Sequence, residues 1–332
     1  MALWASITNT TTLPAGAFTR VMTKRSTDTT MKIMPFMRAL MGEIPEGTTP
    51  FEYKGDKTTS VSGGKGEIRW RGTLPTVYGV TTQTTAATSD YDAARFGSAT
   101  FDLAQKTIIH ELGVKETEYI SGDQAKMNYV EEELQACVDA LITAVGTDFH
   151  GVGDAAAGTV AGWRLAIQTD DTNSTYLGIA RADAANANLR GNVDAGGTAL
   201  TIARIQAQVN AIVANTGNPD LGLLGTANYG VLQGLVEPNQ YRIVDNDNVW
   251  SKYGGQYLMV NGIRFALDGQ CSATNVGIFD TSSWAAFWGE RGISAGDIQR
   301  LPTKLSINVL PIDMFVQIVC KSPRVNARIV TN

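Results

Sequence analysis

The chain is short of charge. Only 18% of its 332 residues are Asp, Glu, Lys or Arg, against roughly a quarter in ordinary soluble domains. Thr, Ala, Gly and Asn fill the gap. Two readings of this stay open: ordinary variation, or a surface largely covered by neighbours, where charged residues are depleted. The net charge of −5 leaves no cationic excess to neutralise phosphates, which argues against nucleic acid as a specific ligand. Cysteine is also scarce. Cys137, Cys271 and Cys320 lie far apart, none has metal-ligand spacing, and an odd number does not make a disulfide framework. They read as small buried hydrophobes in a reducing compartment. No apolar run approaches the ~20 residues of a membrane span, and the first residues lack a secretory pattern, so a soluble chain is expected.

Catalytic chemistry is missing as well. There are two histidines, His110 and His150, and neither has a second histidine nearby to share a metal. Gly64-Lys65 suggests a phosphate loop, but Thr59 stands where its first glycine belongs and Gly66 where Ser or Thr must hold Mg²⁺. Gly151-Val152-Gly153 lacks the third glycine of a dinucleotide site. No nucleophile-elbow motif occurs. Glu131, Glu132 and Glu133 are consecutive on a helix, so they diverge and read as a solvated face. Asp170, Asp171, Asp183, Asp245 and Asp247 supply carboxylates, and nothing selects a pair. No cofactor, metal or catalytic residue is assigned.

Elements of structure are plain. After a Thr- and Asn-rich start comes a methionine-rich stretch in which Met34, Met37, Leu40 and Met41 share one helical face. Pro35 fits only near the start of that helix. It reads either as a short core helix or as an arm on adjacent subunits, with Met34, Met37 and Met41 as the contacts. Phe51 to Arg71 reads as a hairpin tipped by Gly63-Gly64. Lys54, Lys57, Lys65, Arg69 and Arg71 make it the most basic stretch of the chain, with Trp70 between them. It is either a lysine-protected edge or a contact loop.

Ala99 to His110 alternates, with Phe101, Leu103, Thr107 and Ile109 on the expected inner face and Asp102, Lys106 and His110 on the other. A long helix is predicted from Asp123 to Val145, carried by Met127, Val130, Leu134, Cys137, Val138, Leu141, Ile142 and Val145, with Gly146 as its stop. Further on, Ile202 to Val213 marks a helix, Asp220 to Leu224 a short buried strand, and Tyr229 to Leu235 a helix. Asn261-Gly262 turns a hairpin over Tyr257 to Leu267. Gly277 to Phe279 and Leu305 to Val309 read as strands, and Met314 to Cys320 as a central strand broken only by Gln317. The terminal strands are expected to return to Ala99–His110, giving an α+β fold.

This order of basic arm, glycine-tipped loop, long strand, spine helix, glycine-rich middle and apolar terminal strands resembles the major capsid proteins of tailed double-stranded DNA bacteriophages, the Hong Kong 97 capsid fold family. The local resemblance lies in Tyr176-Leu177-Gly178-Ile179-Ala180-Arg181, with Asn188-Leu189-Arg190 downstream, and in Pro219 to Leu223 followed by the helix with Tyr229. The resemblance implies an N-terminal arm (1–48), an extended E-loop (49–80), a P-domain with the spine helix (81–160), an A-domain (161–300) and C-terminal strands returning to the P-domain (301–332). It implies a non-enzymatic protein that assembles with itself as pentamers and hexamers into an icosahedral shell around double-stranded DNA, without sequence-specific binding and without a membrane. Lys54, Lys57, Lys65, Arg69, Trp70 and Arg71 would lie on a neighbour, with Glu131, Glu132 and Glu133 as candidate acidic partners. A scaffolding protein, a portal protein and a decoration protein are the implied partners. The implied location is the virion, assembled in the host bacterial cytoplasm. The loop and spine begin early in the chain, so a scaffolding segment would be separate or already removed. Alternatives are an encapsulin-like compartment, a tail-tube protein, or an enzyme whose carboxylates converge only on folding.

Overall fold

The computed structural model describes residues 34–41, 58–61, 65–71, 96–113, 123–155, 158–169, 175–236, 257–295, 299–300 and 307–332. Two sheets organise them. The five-stranded sheet joins β1 (Thr58–Val61), β12 (Trp284–Ala295), β14 (Ile307–Cys320) and β13 (Gln299–Arg300), with β4 (Ala104–Gly113) also paired to β14. The six-stranded sheet runs β7 (Asn192–Asp194), β15 (Ala327–Val330), β11 (Asn275–Phe279), β8 (Leu221–Leu224), β10 (Ile263–Leu267) and β9 (Tyr257–Val260). A two-stranded ribbon, β2 (Lys65–Arg71) with β3 (Phe96–Asp102), leaves the first sheet. A small hairpin, β5 (Thr175–Tyr176) with β6 (Ile179–Ala180), stands apart.

The long helix α2 spans Asp123–Phe149, about 40 Å at 1.5 Å per residue. It buries Leu134, Val138, Leu141, Ile142, Val145 and Phe149 on one face, the face its three- and four-residue spacing dictates. Gly146 does not stop it. A Cβ there would sit 1.9 Å from the side-chain oxygen of Gln270, so the glycine admits a neighbouring loop against the helix rather than ending it.

The main core lies between α2, the five-stranded sheet and one face of the six-stranded sheet. The helix α1 (Pro35–Met41) closes it: Phe36 stacks near Phe149 (4.6 Å), Trp284 (5.1 Å) and Phe279 (5.1 Å). A second core fills the other face of the six-stranded sheet, beneath α4 (Ile202–Ala214) and near α5 (Thr226–Val236). The short helix α3 (Trp163–Ala166) lies near both sheets. Its Trp163 ring is 5.4 Å from Phe279.

Several expectations hold. The Ile202 helix, the Asp220 strand, the hairpin at Asn261-Gly262 (φ 53° and 79°) and the return of β14 onto β4 are all present. Others are corrected. Phe51 to Arg71 is not one hairpin. β1 pairs in parallel with β12, while β2 pairs antiparallel with β3, Lys65 opposite Asp102 and Arg71 opposite Phe96. Local alternation cannot choose between a near and a distant partner, and here the distant one wins.

The predicted strand Ala99–His110 is two strands, broken at Leu103, with β3 in the ribbon and β4 in the five-stranded sheet. The break reverses the phase. Phe101 and Leu103 are buried, but Ile109 is 66% exposed, and it is Lys106 and His110 that face α2. Gln317, the single polar residue in the apolar run, explains how the break is tolerated. Its buried amide donates to the carbonyls of Asp102 (3.1 Å) and Thr159 (2.7 Å) and accepts from the N–H of Ala161 (2.7 Å). Orphaned backbone groups at the kink are thereby satisfied.

Two chain segments pair away from the strands that precede them in sequence. β12, which the sequence reading missed, belongs to the five-stranded sheet, and β15 joins the six-stranded sheet between β7 and β11.

Candidate functional site

The ionisable groups of the interior are committed to structure. His150 is 6% exposed. Its Nδ1 accepts from Trp163 Nε1 (2.8 Å), which puts the imidazole proton on Nε2, facing Asp268 Oδ2 at 2.9 Å. The arrangement has the base and orienting carboxylate of a triad, but an indole stands where a nucleophile would be. Its effect is to tie the end of α2 to α3 and to the loop after β10. The sequence shows only that His150 has no second histidine nearby, because the indole and carboxylate reach it only through the fold.

The cysteines are free and buried. Burial pushes the thiols of Cys271 and Cys320 up to about 12 and raises that of Cys137, so none is poised as a nucleophile. Among the described residues no group of His, Cys, Asp and Glu is arranged to hold a metal ion, and no helix is long and apolar enough to cross a membrane.

The Tyr176–Arg181 stretch forms a staple. Leu177 (φ 54°) and Gly178 (φ 75°) turn the β5–β6 hairpin, and Asp154 accepts from the Leu177 N–H at 3.0 Å. Tyr176 is buried, and its hydroxyl accepts from the Cys320 N–H (2.8 Å) while facing the Cys320 carbonyl at 3.2 Å. Arg181 is buried with no carboxylate hydrogen-bonded to it among the described residues. It donates to the carbonyls of Leu165 (2.5 Å) and Gln168 (3.3 Å) and lies 5.1 Å from the Tyr176 ring centre. Desolvation lowers its pKa to about 10, so it stays charged at neutral pH.

Some of the residues that the sequence reading assigns to subunit contacts lie on described elements. On β2, Gly66 and Ile68 are buried while Glu67 and Arg69 are exposed and face each other at 3.2 Å. Phe101 of β3 lies over Gly66, where a Cβ would come within 2.3 Å of the ring, and its edge meets Phe287 of β12 at 4.8 Å. This anchors the root of the ribbon on the five-stranded sheet. Lys65, Trp70 and Arg71 lie in β2, their side chains outside the described set, and Lys54 and Lys57 fall outside the described residues.

On α2, Glu132 is exposed, while Glu133 approaches His110 Nε2 at 3.9 Å. The Glu131 side chain lies outside the described set. Met34 and Met37 are 3% and 1% exposed within the chain's own core, so their proposed role as contacts to another subunit is corrected to a core role. Met41 ends α1, with its side chain outside the described set.

No protein-family profile matches the sequence, and no curated protein matches it. Solved structures do match. The capsid of cyanophage A-1(L) superposes with a TM-score of 0.63 at 18% identity, covering 82% of this chain and 89% of the other. The fold is that of the Hong Kong 97 type of capsid protein. The capsid of a native GTA particle matches with a TM-score of 0.56 at 11% identity, over 83% of this chain and 87% of the other. The holo-SrpI encapsulin of Synechococcus elongatus matches with a TM-score of 0.53 at 6% identity, over 82% and 84%. Phage shells and an encapsulin compartment thus share this capsid fold with the chain, and identities this low speak for the fold alone.

Proposed function

We propose that this chain is the major capsid protein of a tailed double-stranded DNA bacteriophage. One observation carries the reading. A paired ribbon leaves a sheet backed by a 27-residue helix, in a chain that shares its fold over about four-fifths of its length with shell-forming proteins. In isolation such a ribbon is a liability, since two strands alone are marginal in water. Laid across a neighbour, it becomes an interlocking arm. The arm in this reading is the paired ribbon β2–β3, whose second strand lies beyond the 49–80 that the resemblance implies.

Lys65, Arg69, Trp70 and Arg71 on β2, and Lys54 and Lys57 before it, form the basic side of the contact, and the acidic face of α2 on the next copy, Glu131 to Glu133, the other. Pentamers and hexamers close the shell in the host cytoplasm. A scaffolding protein, a portal and a decoration protein complete the particle, which encloses DNA without reading its sequence. Many weak contacts per subunit allow errors to reverse while the closed shell stays stable.

Electron microscopy of the purified chain, with and without a scaffolding partner, tests this. Closed shells or rings of five and six subunits are expected, and a uniform small species under every condition overturns the reading. Arg69→Glu with Arg71→Glu is expected to block assembly and leave the subunit folded. The encapsulin match favours a second reading, a cargo compartment. Purified native particles decide between the two: DNA inside supports the capsid, and an enzyme inside without a genome supports the compartment.

A further inference from the structure

Arg164 of α3 and Arg328 of β15 lie close together at the junction of α3 and the six-stranded sheet, and among the described residues no carboxylate pairs with either. Arg328 of β15 donates from Nε to Asn275 Oδ1 (2.8 Å) and from Nη1 to the carbonyl of Arg164 (3.3 Å). The guanidinium of Arg164 makes no hydrogen bond or ion pair among the described residues, and its Nε is closed off from solvent. Both residues are half-buried. Desolvation, followed by the charge of Arg164, lowers the pKa of Arg328. The carboxylate of this region, Asp268, is already engaged by His150 Nε2 and by the N–H of Gln270.

Other arginines of this half stand singly or are held, and the Arg181 Nε is unpartnered as well. Arg181 and Arg190 donate to backbone carbonyls, and Arg204 is held by Asp194 (2.7 Å). An uncompensated, partly desolvated pair of like charges is costly unless an anion completes it.

We infer that Arg164 and Arg328 form a receptor for a carboxylate side chain carried by a second copy of the chain. The inference rests on the capsid reading above. Guanidinium forks match a carboxylate in plane and spacing. The chain carries 32 acidic residues against 27 basic ones, so each copy offers carboxylates in excess. The half-buried position suits one protruding side chain, whereas a duplex backbone requires a row of exposed cations.

The test uses the full chain in a shell-assembly assay. Arg164→Met removes the charge without removing any hydrogen bond described within the subunit. The unassembled variant is expected to melt at or above the wild-type temperature, because repulsion on Arg328 is relieved. The concentration needed to form shells is expected to rise about tenfold or more, and Arg164→Lys is expected to restore part of the loss. Shells forming at the wild-type concentration in both Arg164→Met and Arg328→Met overturn the inference. So does a phosphate-dependent rise in the melting temperature of the wild-type subunit with assembly unaffected by Arg164→Met, which assigns the pair to a free anion. Normal shells that fail only to retain DNA assign it to nucleic acid and overturn the inference equally. A wild-type chain that never assembles instead overturns the capsid reading, and the unchanged control separates the two failures.

Discussion

The two sheets of this molecule solve different problems. The six-stranded sheet is built of short strands, three to five residues each, gathered mostly from one stretch between Asn192 and Phe279 and padded by helices on its outer face. The five-stranded sheet is built around three long strands, β4, β12 and β14, of 10, 12 and 14 residues, drawn from distant parts of the chain. It carries the ribbon, and its β4 exposes Ile109. The first kind of sheet closes locally and can fold early; the second requires distant segments to meet and is slower to close. A compact layer thus stands beside a sheet from which elements reach outward. The same chain supplies both because β12 and β15 each cross from one sheet's neighbourhood to the other.

The joint between the sheets is the place to break this comparison. Asn326 precedes β15, and its side-chain oxygen accepts from Trp284 Nε1 (2.9 Å) and from the Asp280 N–H (3.0 Å). Its amide donates to Ser283 Oγ (2.9 Å) and to the Ser322 carbonyl (3.0 Å). Asn326→Ala leaves buried donors unpaired, and a loss of about 3–5 kcal/mol is expected. Denaturant unfolding followed by tryptophan fluorescence and by far-ultraviolet circular dichroism is expected to lose its coincidence as the two sheets uncouple.

A smaller effect is expected at the ribbon. In Gly66→Val the new side chain displaces Phe101 from its place against Phe287. Overpacking of this kind costs about 1–3 kcal/mol. Because the ribbon is peripheral, hydrogen exchange is expected to quicken in β2 and β3 while α2 keeps its protection; equal quickening in both elements refutes the separation.

Within the six-stranded layer, Thr201 caps α4 by accepting from the Arg204 N–H at 3.3 Å. Thr201→Ala is expected to cost about 1 kcal/mol in a thermal melt, without changing the ribbon. The smallest effect concerns pH. The hydrogen bond from Arg204, foremost, holds the Asp194 carboxyl below its usual range. That stabilisation is fully present above the ordinary carboxylate pKa and is lost as pH falls through the lowered native value. The pair is partly exposed, so less than about 1 kcal/mol is at stake. Asp194→Asn is expected to flatten the acid limb of the stability curve by that amount, and an unchanged limb removes the pair from the account.

Much of the six-stranded layer was legible from short-range signals. Asn261-Gly262 specified its hairpin, because few other residue pairs adopt two consecutive positive φ angles. The spacing of Leu134, Val138, Leu141 and Val145 specified the helix that backs the other sheet. The five-stranded sheet was less legible. β12 was missed, and its bulge between Trp288 and Ile293 shows why: the strand changes register midway, so a fixed period of two does not run through it. Gly146 reads as a helix stop and proves to be a packing glycine, since only the fold brings Gln270 beside it.

The sequence by itself determined the elements whose signal is local: the spine helix by its period, the turn at Asn261-Gly262 by its residue pair, and the central strand by its apolar run. The tertiary structure alone decided which strand β2 meets, which face of β4 is inward, and which charges lack partners. These depend on groups far apart in the chain. A hydrogen bond or an ion pair is set by distance in space, and period and propensity carry no record of it.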